Sequence, residues 1–214
     1  MRLLPLLALA ATLTPAEIID RVCVTVDRQV ITLSALEERL RVAAFLNSDK
    51  VDLSPANRRR MAERIIEQAL VQREMEISRY TMPGDQEVAE YLGRIRKTLA
   101  LSAADFAKRM KQYRLTEEAL RENLRVQLAT IRFIDLRFRP GSAVSQGDIQ
   151  LYYRETFVPE WQQANPGKTA PEVDDVEDEI EQTLLARQAN EQLSGWLKQA
   201  RTSARVVFFE EAFQ

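Results

Sequence analysis

Asp20-Arg21-Val22-Cys23-Val24-Thr25-Val26-Asp27-Arg28-Gln29-Val30-Ile31-Thr32 is the stretch on which the fold turns. The β-branched run that starts near Ile18 and ends at Val26 favours a strand. The polar triplet Asp27-Arg28-Gln29 favours a turn, and Val30-Ile31-Thr32 returns as a second strand. A hairpin alone is marginal in water and needs further partners. The only other strand signal lies at the far end of the chain, in Ala204-Arg205-Val206-Val207-Phe208-Phe209. The two ends are therefore expected to meet in one small β-sheet beside a helical core, a mainly α fold.

Everything between the strands reads as amphipathic helix. Ser34-Ala35-Leu36-Glu37 has the form of a capping box opening a helix with Leu36, Leu40 and Ala44 on one face. Residues 47–52 break it, and Ser54-Pro55 starts a second helix that runs to about Tyr80. Its inward face is expected to hold Met61, Ile65, Ile66, Ala69, Leu70 and Ile77. Pro83-Gly84 ends that unit. Asp85 and Ser102 are the expected caps of the next two helices, the first carrying Val88, Tyr91, Leu92 and Ile95, the second Phe106 and Met110. Thr116 opens a long helix in which Leu120, Leu124, Leu128 and Ile131 repeat at helical spacing, stopped by Pro140-Gly141. Ser145-Gln146-Gly147-Asp148 is a further capping box. Pro159, Pro166 and Pro171 then mark residues 158–171 as a linker. A final long helix begins in the acidic run around Asp174 and carries Val176, Ile180, Leu184, Leu193, Trp196 and Leu197.

Composition removes much chemistry. The chain has 214 residues, one large domain or two small ones on length alone. It contains no histidine and one cysteine, so Ser-His-Asp triads, Cys-His pairs, imidazole metal sites and CxxC motifs are all out of reach. Its six glycines never form GxGxxG or GxxxxGK, and the net charge of −2 gives no global case for nucleic acid. No cofactor and no enzymatic activity are expected.

Met1-Arg2 followed by an apolar run from Leu3 to Ala11 reads as an export signal, with cleavage after Ala10 or Ala16. That run is too short to span a bilayer, and no later stretch is apolar enough. The expectation is a periplasmic protein whose mature part starts at residue 17. Cys23, within a strand-like run, reads as a small buried hydrophobe rather than a redox group.

The order of these signals resembles the SurA-like periplasmic chaperones. Asp20-Arg21-Val22-Cys23-Val24 with Val30-Ile31-Thr32-Leu33-Ser34 is similar to that family's entry hairpin. Thr116-Glu117-Glu118-Ala119-Leu120-Arg121 with Leu124-Arg125 resembles its T-x-x-x-L-R-x-x-L-R helix. Val144-Ser145-Gln146-Gly147-Asp148-Ile149 with Tyr152-Tyr153 resembles its V-S-x-x-E/D-I-x-x-Y-Y segment, and Trp196-Leu197 with Ala204-Arg205-Val206 its closing helix and strand. The resemblance covers essentially the whole mature chain. In that family, parvulin-type prolyl isomerase domains sit between the Tyr-Tyr segment and the final helix. Here residues 158–171 fill the interval, far short of the roughly 50 residues a domain needs.

What the resemblance implies is a chaperone core without the enzyme: residues 17–157 and 172–214 as one discontinuous domain, holding unfolded outer-membrane β-barrel precursors in a helical apolar crevice. A surface that adapts to many clients uses flexible apolar side chains. Phe106, Met110, Tyr113 and Met82 are the peptide-binding candidates, although methionine and phenylalanine at helical spacing more often fill a core. Arg58-Arg59-Arg60 could grip an acidic partner or form a solvated face. The mix of Arg132, Phe133, Arg137, Phe138 and Arg139 could stack on bases or simply end a helix. The acidic run 174–181 lacks a Ca²⁺-loop pattern and suits a helix N-terminus. The competing reading is an assembly module that forms a homodimer, exchanging its terminal helix and strand about residues 158–171, and binds one defined envelope partner.

Overall fold

Strand β1 (Val22–Val26) and strand β2 (Gln29–Thr32) pair antiparallel, with Val26 opposite Gln29 and Val24 opposite Ile31. A computed structural model describes residues 20–139 and 144–214. Ile18, the export-signal reading and the Pro140-Gly141 stop lie outside them. The register slips between Val22 and Val24, and this bulge turns both Cys23 and Val24 toward the core. Asp27, first residue of the two-residue turn, is left-handed at φ 53°. Strand β3 (Val206–Phe208) completes the sheet on the other side of β1, in the order β2-β1-β3. The ends of the chain do meet in one sheet, and Asp27 fastens them. Its N–H donates to the carbonyl of Arg205 at 2.8 Å, and its Oδ1 accepts from the Arg205 N–H at 2.9 Å.

Helix α1 (Leu33–Asn47) follows β2 without a loop. Its cap is therefore the last strand residue: Thr32 accepts the Ala35 N–H, not Ser34 as the capping-box reading had it. Ser34 instead bonds the carboxylate of Asp20 through both its N–H and its hydroxyl. The Ser34 hydroxyl, then Thr32, hold the Asp20 carboxyl below its usual range.

Helices α2 (Pro55–Ile77), α4 (Ala103–Gln112) and α5 (Glu117–Phe138) start at Ser54, Ser102 and Thr116, whose hydroxyls accept the expected backbone N–H groups. Helix α3 (Asp85–Thr98) is capped one residue earlier than expected, at Gly84, whose N–H donates to Glu87 at 2.9 Å. Ser145 opens α6 (Gln146–Tyr152) with a complete capping box.

The first half of the expected linker is helix. Residues 153–157 form one π-helical turn in which the Val158 N–H reaches the Tyr153 carbonyl, and α7 (Val158–Ala164) continues from it. The wider turn relieves the clash between the Pro159 ring and the carbonyl four residues back, so the proline interrupts hydrogen bonding without ending the helix. Only residues 165–172 remain as a connection to α8 (Val173–Ser203), a helix of 31 residues spanning about 46 Å.

The sheet, α1, α2 and the C-terminal half of α8 share one core that includes Cys23, Leu36, Ile66 and Phe213. A second core under α3 and α4 is centred on Phe45, edge-on to Phe106 at 5.2 Å and to Tyr113 at 5.7 Å. A third joins α2, α5 and α8 through Met75 and Phe133. Together these make the body. Residues 144–186 form an arm, whose buried centre is Ile149, Val176 and Ile180, joined by half-buried residues of the arm alone.

Candidate functional site

Helix α2 carries an apolar stripe to its last residue. Ile66, Leu70 and Ile77 are spaced by four and seven residues and so share one helix face. Ile66 and Leu70 are buried beneath the sheet and α8. Ile77 was expected in that core, but as the last residue of the helix it is 67 % exposed. A slot of about 330 Å³ remains there, lined by Leu70, Ile77, Trp196 and Ala200 among others. Ile131 on α5 is a parallel correction: it keeps the phase of Leu124 yet is 51 % exposed. The start of α3 is tied to α5 at Arg125 and Arg132, through Asp85 and Glu87.

A larger groove of about 770 Å³ opens on the other side of the same two turns of α2. Its walls are the hairpin turn from Val26 to Gln29, Met75 and Glu76 of α2, and Tyr80 and Met82 beyond the helix end. Arg73 borders both concavities and donates to Asp27 Oδ2 at 2.8 Å, tying turn to helix. The helix end places Tyr80. Arg79 is left-handed at φ 55°, so the Tyr80 N–H folds back to the Met75 carbonyl at 2.8 Å and the Arg79 N–H to that of Glu76 at 3.1 Å. The Tyr80 ring then stands edge-on to Phe133 at 5.3 Å, and Met82 emerges 41 % exposed.

A smaller apolar slot of about 300 Å³ lies where α1, α2, α5 and α8 meet, lined by Ile65, Val71, Ile134, Leu193 and Leu197. Arg39 reaches its rim with no ion pair or hydrogen bond among the described residues, and burial of its guanidinium lowers its pKa.

Of the four residues proposed from sequence, Met82 alone lines the large groove. Phe106, 2 % exposed, and Met110 are buried and anchor α4 to the second core. Tyr113 is half-buried, with its hydroxyl donating to the Asp49 carbonyl at 2.7 Å. Sequence reading missed Ile77, Tyr80 and the hairpin turn. The one available signal was an apolar stripe that runs to the last residue of its helix.

The arginine clusters serve the fold. Arg58 pairs with Glu37 at 2.6 Å, and Arg59 lies 3.7 Å over the Phe208 ring while donating to Glu210 at 2.7 Å. These contacts lock α2 to α1 and to the C-terminal strand. Phe133 and Phe138 are buried, so their ring faces cannot stack on bases. Among the described residues, no group of three or more Cys, Asp or Glu side chains is placed to hold a metal ion. No described helix is long and apolar enough to cross a membrane. Cys23 is fully buried, and that burial raises its thiol pKa, which leaves it unreactive. Asp52, Glu87 and Asp148 are held below their usual range by the cap and arginine hydrogen bonds they accept.

Chemically the groove offers apolar side chains interleaved with Arg28, Gln29, Gln72 and Glu76. That combination suits an extended polypeptide, which brings apolar side chains and backbone polar groups together. No known protein family matches this chain, and no curated protein matches it.

Proposed function

We propose that the chain is an exported holdase of the SurA-like kind, which keeps unfolded outer-membrane β-barrel precursors from aggregating in the periplasm and has no prolyl isomerase activity. The observation that carries this reading is the end of α2. Ile77 continues a core stripe into open space, beside a groove whose far wall is Tyr80 and Met82. An apolar face in core phase but without cover is a surface held ready for another chain. The groove can take apolar side chains of varied shape, since methionine adapts to them at small cost. Its polar rim satisfies the backbone of an extended segment. Residues 153–173 hold one helical turn, α7 and a short connection, which supports a chaperone core without an inserted enzyme.

A second reading, an assembly module that dimerises by exchanging α8 and β3, draws on one observation. A single terminal segment supplies both the third strand and part of the first core. Aggregation of a urea-diluted outer-membrane β-barrel protein, followed by light scattering with and without this chain, separates the two. The holdase reading expects suppression near equimolar ratio, unchanged by reductant, and weakened about 5- to 30-fold by the exposed substitutions Ile77→Asp and Met82→Asp. A folded, monodisperse chain that suppresses nothing would overturn it.

A further inference from the structure

Charge in this chain is sorted by place. Across the arm, residues 144–186, ten acidic side chains accompany two basic ones, Arg154 and Lys168, for a net charge of −8. Across residues 94–114, which hold the end of α3, α4 and the turn after it, seven basic side chains accompany only Asp105, for a net charge of +6. Three of the seven arginine and lysine side chains lie over rings: Arg94 on Tyr91, Arg96 on Phe106 and Arg109 on Phe45. The others, Lys97, Lys108, Lys111 and Arg114, are exposed, and among the described residues their side chains have no carboxylate partner.

The arm also carries apolar surface that its own small core does not cover. Leu151 is 46 % exposed, and Tyr152, Phe157 and Trp161 are only half-buried. On the α3–α4 lobe, Tyr91, Leu99, Leu101 and Tyr113 are likewise half-buried. Within one molecule these two regions belong to separate cores, the arm drawing on residues 144–184 and the lobe on α1, α3, α4 and the start of α5. Neither neutralises the other.

We infer that the acidic arm docks on the basic α3–α4 lobe of a second copy of this chain, in a reciprocal two-fold pair. Unfolded clients have no fixed charge pattern, whereas a second copy always presents the matching one. Complementary potentials select partner and register. A two-fold pair makes the contact twice, so each arm–lobe contact needs only about half of the roughly 1,600 Å² typical of a stable interface. The pairing stands independently of the holdase reading, since it uses neither the α2 groove nor Ile77.

Sedimentation equilibrium of the full chain tests it, in roughly 20 mM and roughly 500 mM salt, where the screening length falls from about 20 Å to about 4 Å. The expected result is a dimer at low salt whose Kd rises at least about tenfold at high salt. Reversing the arm with Asp178→Lys and Glu179→Lys, or the lobe with Lys108→Glu and Lys111→Glu, should each raise Kd at least about tenfold. Mixing one arm-reversed chain with one lobe-reversed chain brings opposite charges together at both contacts, and so does a variant that carries both reversals in one chain. The Kd of each should return to within about threefold of the unaltered value. All four positions are exposed, and circular dichroism confirms that each variant is folded. A monomer at low salt, a dimer indifferent to salt, a doubly reversed chain as weak as either single reversal, or open growth beyond the dimer would each overturn the proposal.

Discussion

Phe45 and Ile180 are both covered to within 1 % of complete burial, yet what surrounds them differs sharply. Phe45 sits among residues drawn from α1, α3, α4 and α5, ringed by Leu92, Phe106, Leu120 and Leu124. Among the described residues, Ile180 has two buried neighbours, Ile149 and Val176, and otherwise half-buried side chains of the same arm. Body and arm share a helix, since α8 runs through both, but not a core. A segment with three buried side chains has little apolar burial to set against the conformational entropy of ordering its backbone. The arm is thus expected to open more readily than the body it extends from.

The largest effect that probes this contrast is Phe45→Ala. It should cost about 3–5 kcal/mol, because the cavity is walled by helices that cannot collapse into it, and it should lower the urea midpoint of the whole chain. Ile180→Ala removes a side chain of similar coverage and should cost about 2–4 kcal/mol, but locally. Hydrogen exchange should speed up across residues 146–184 while the urea midpoint of the body barely moves. A uniform loss of protection in Ile180→Ala would show that α8 makes arm and body one cooperative unit.

How much of this was legible beforehand follows the range of the interaction involved. The caps at Ser54, Ser102, Thr116 and Ser145 are settled within four residues of chain, and the sequence suffices for them. The three-stranded sheet was legible by elimination, since Ala204-Arg205-Val206-Val207 had only the hairpin to pair with. Thr32 displaced Ser34 as a cap because β2 ends with no loop, a fact about the junction rather than the motif. Residues 158–164 stayed helical because a π turn absorbs Pro159, which composition cannot announce. The candidate site was harder. Periodicity puts Phe106, Met110 and Ile77 equally in phase with a core. Only the placement of the neighbouring helices decides that the first two are covered and the third is bare.

The closure of the sheet allows a finer test of how the body holds its ends. Asp27→Ala removes the acceptor of the Arg205 N–H and the partner of Arg73 together. The Arg73 pair is well exposed on both sides, so it contributes little, and most of the expected loss of about 1 kcal/mol comes from the backbone bond. Asp27→Asn keeps an acceptor and tolerates the left-handed turn, so it should lose about half as much. Protection of β3 amides should fall in both variants, with the arm untouched. Equal loss for the two would place the stabilisation in the ion pair instead.

The smallest effect runs in the opposite direction. The body closes its helices on left-handed residues that are not glycine, Ser48, Arg79, Ala100 and Arg114, while the arm uses Gly167 at φ 79°. At Arg114 the Leu115 N–H bonds the Met110 carbonyl at 3.0 Å, the same closing turn that ends α2. A side chain with a Cβ pays about 1 kcal/mol for that φ of 55°. Arg114→Gly removes this cost, and the extra freedom glycine gains in the unfolded chain returns part of it. A net gain of about 0.5 kcal/mol in unfolding free energy, seen as a higher urea midpoint, is expected. The same substitution deletes one cation from the α3–α4 lobe. If that lobe receives an acidic arm, Arg114→Gly should therefore make each copy more stable and the pair about twofold weaker. Stability and association moving together would show that the turn, rather than its charge, is what the second copy meets.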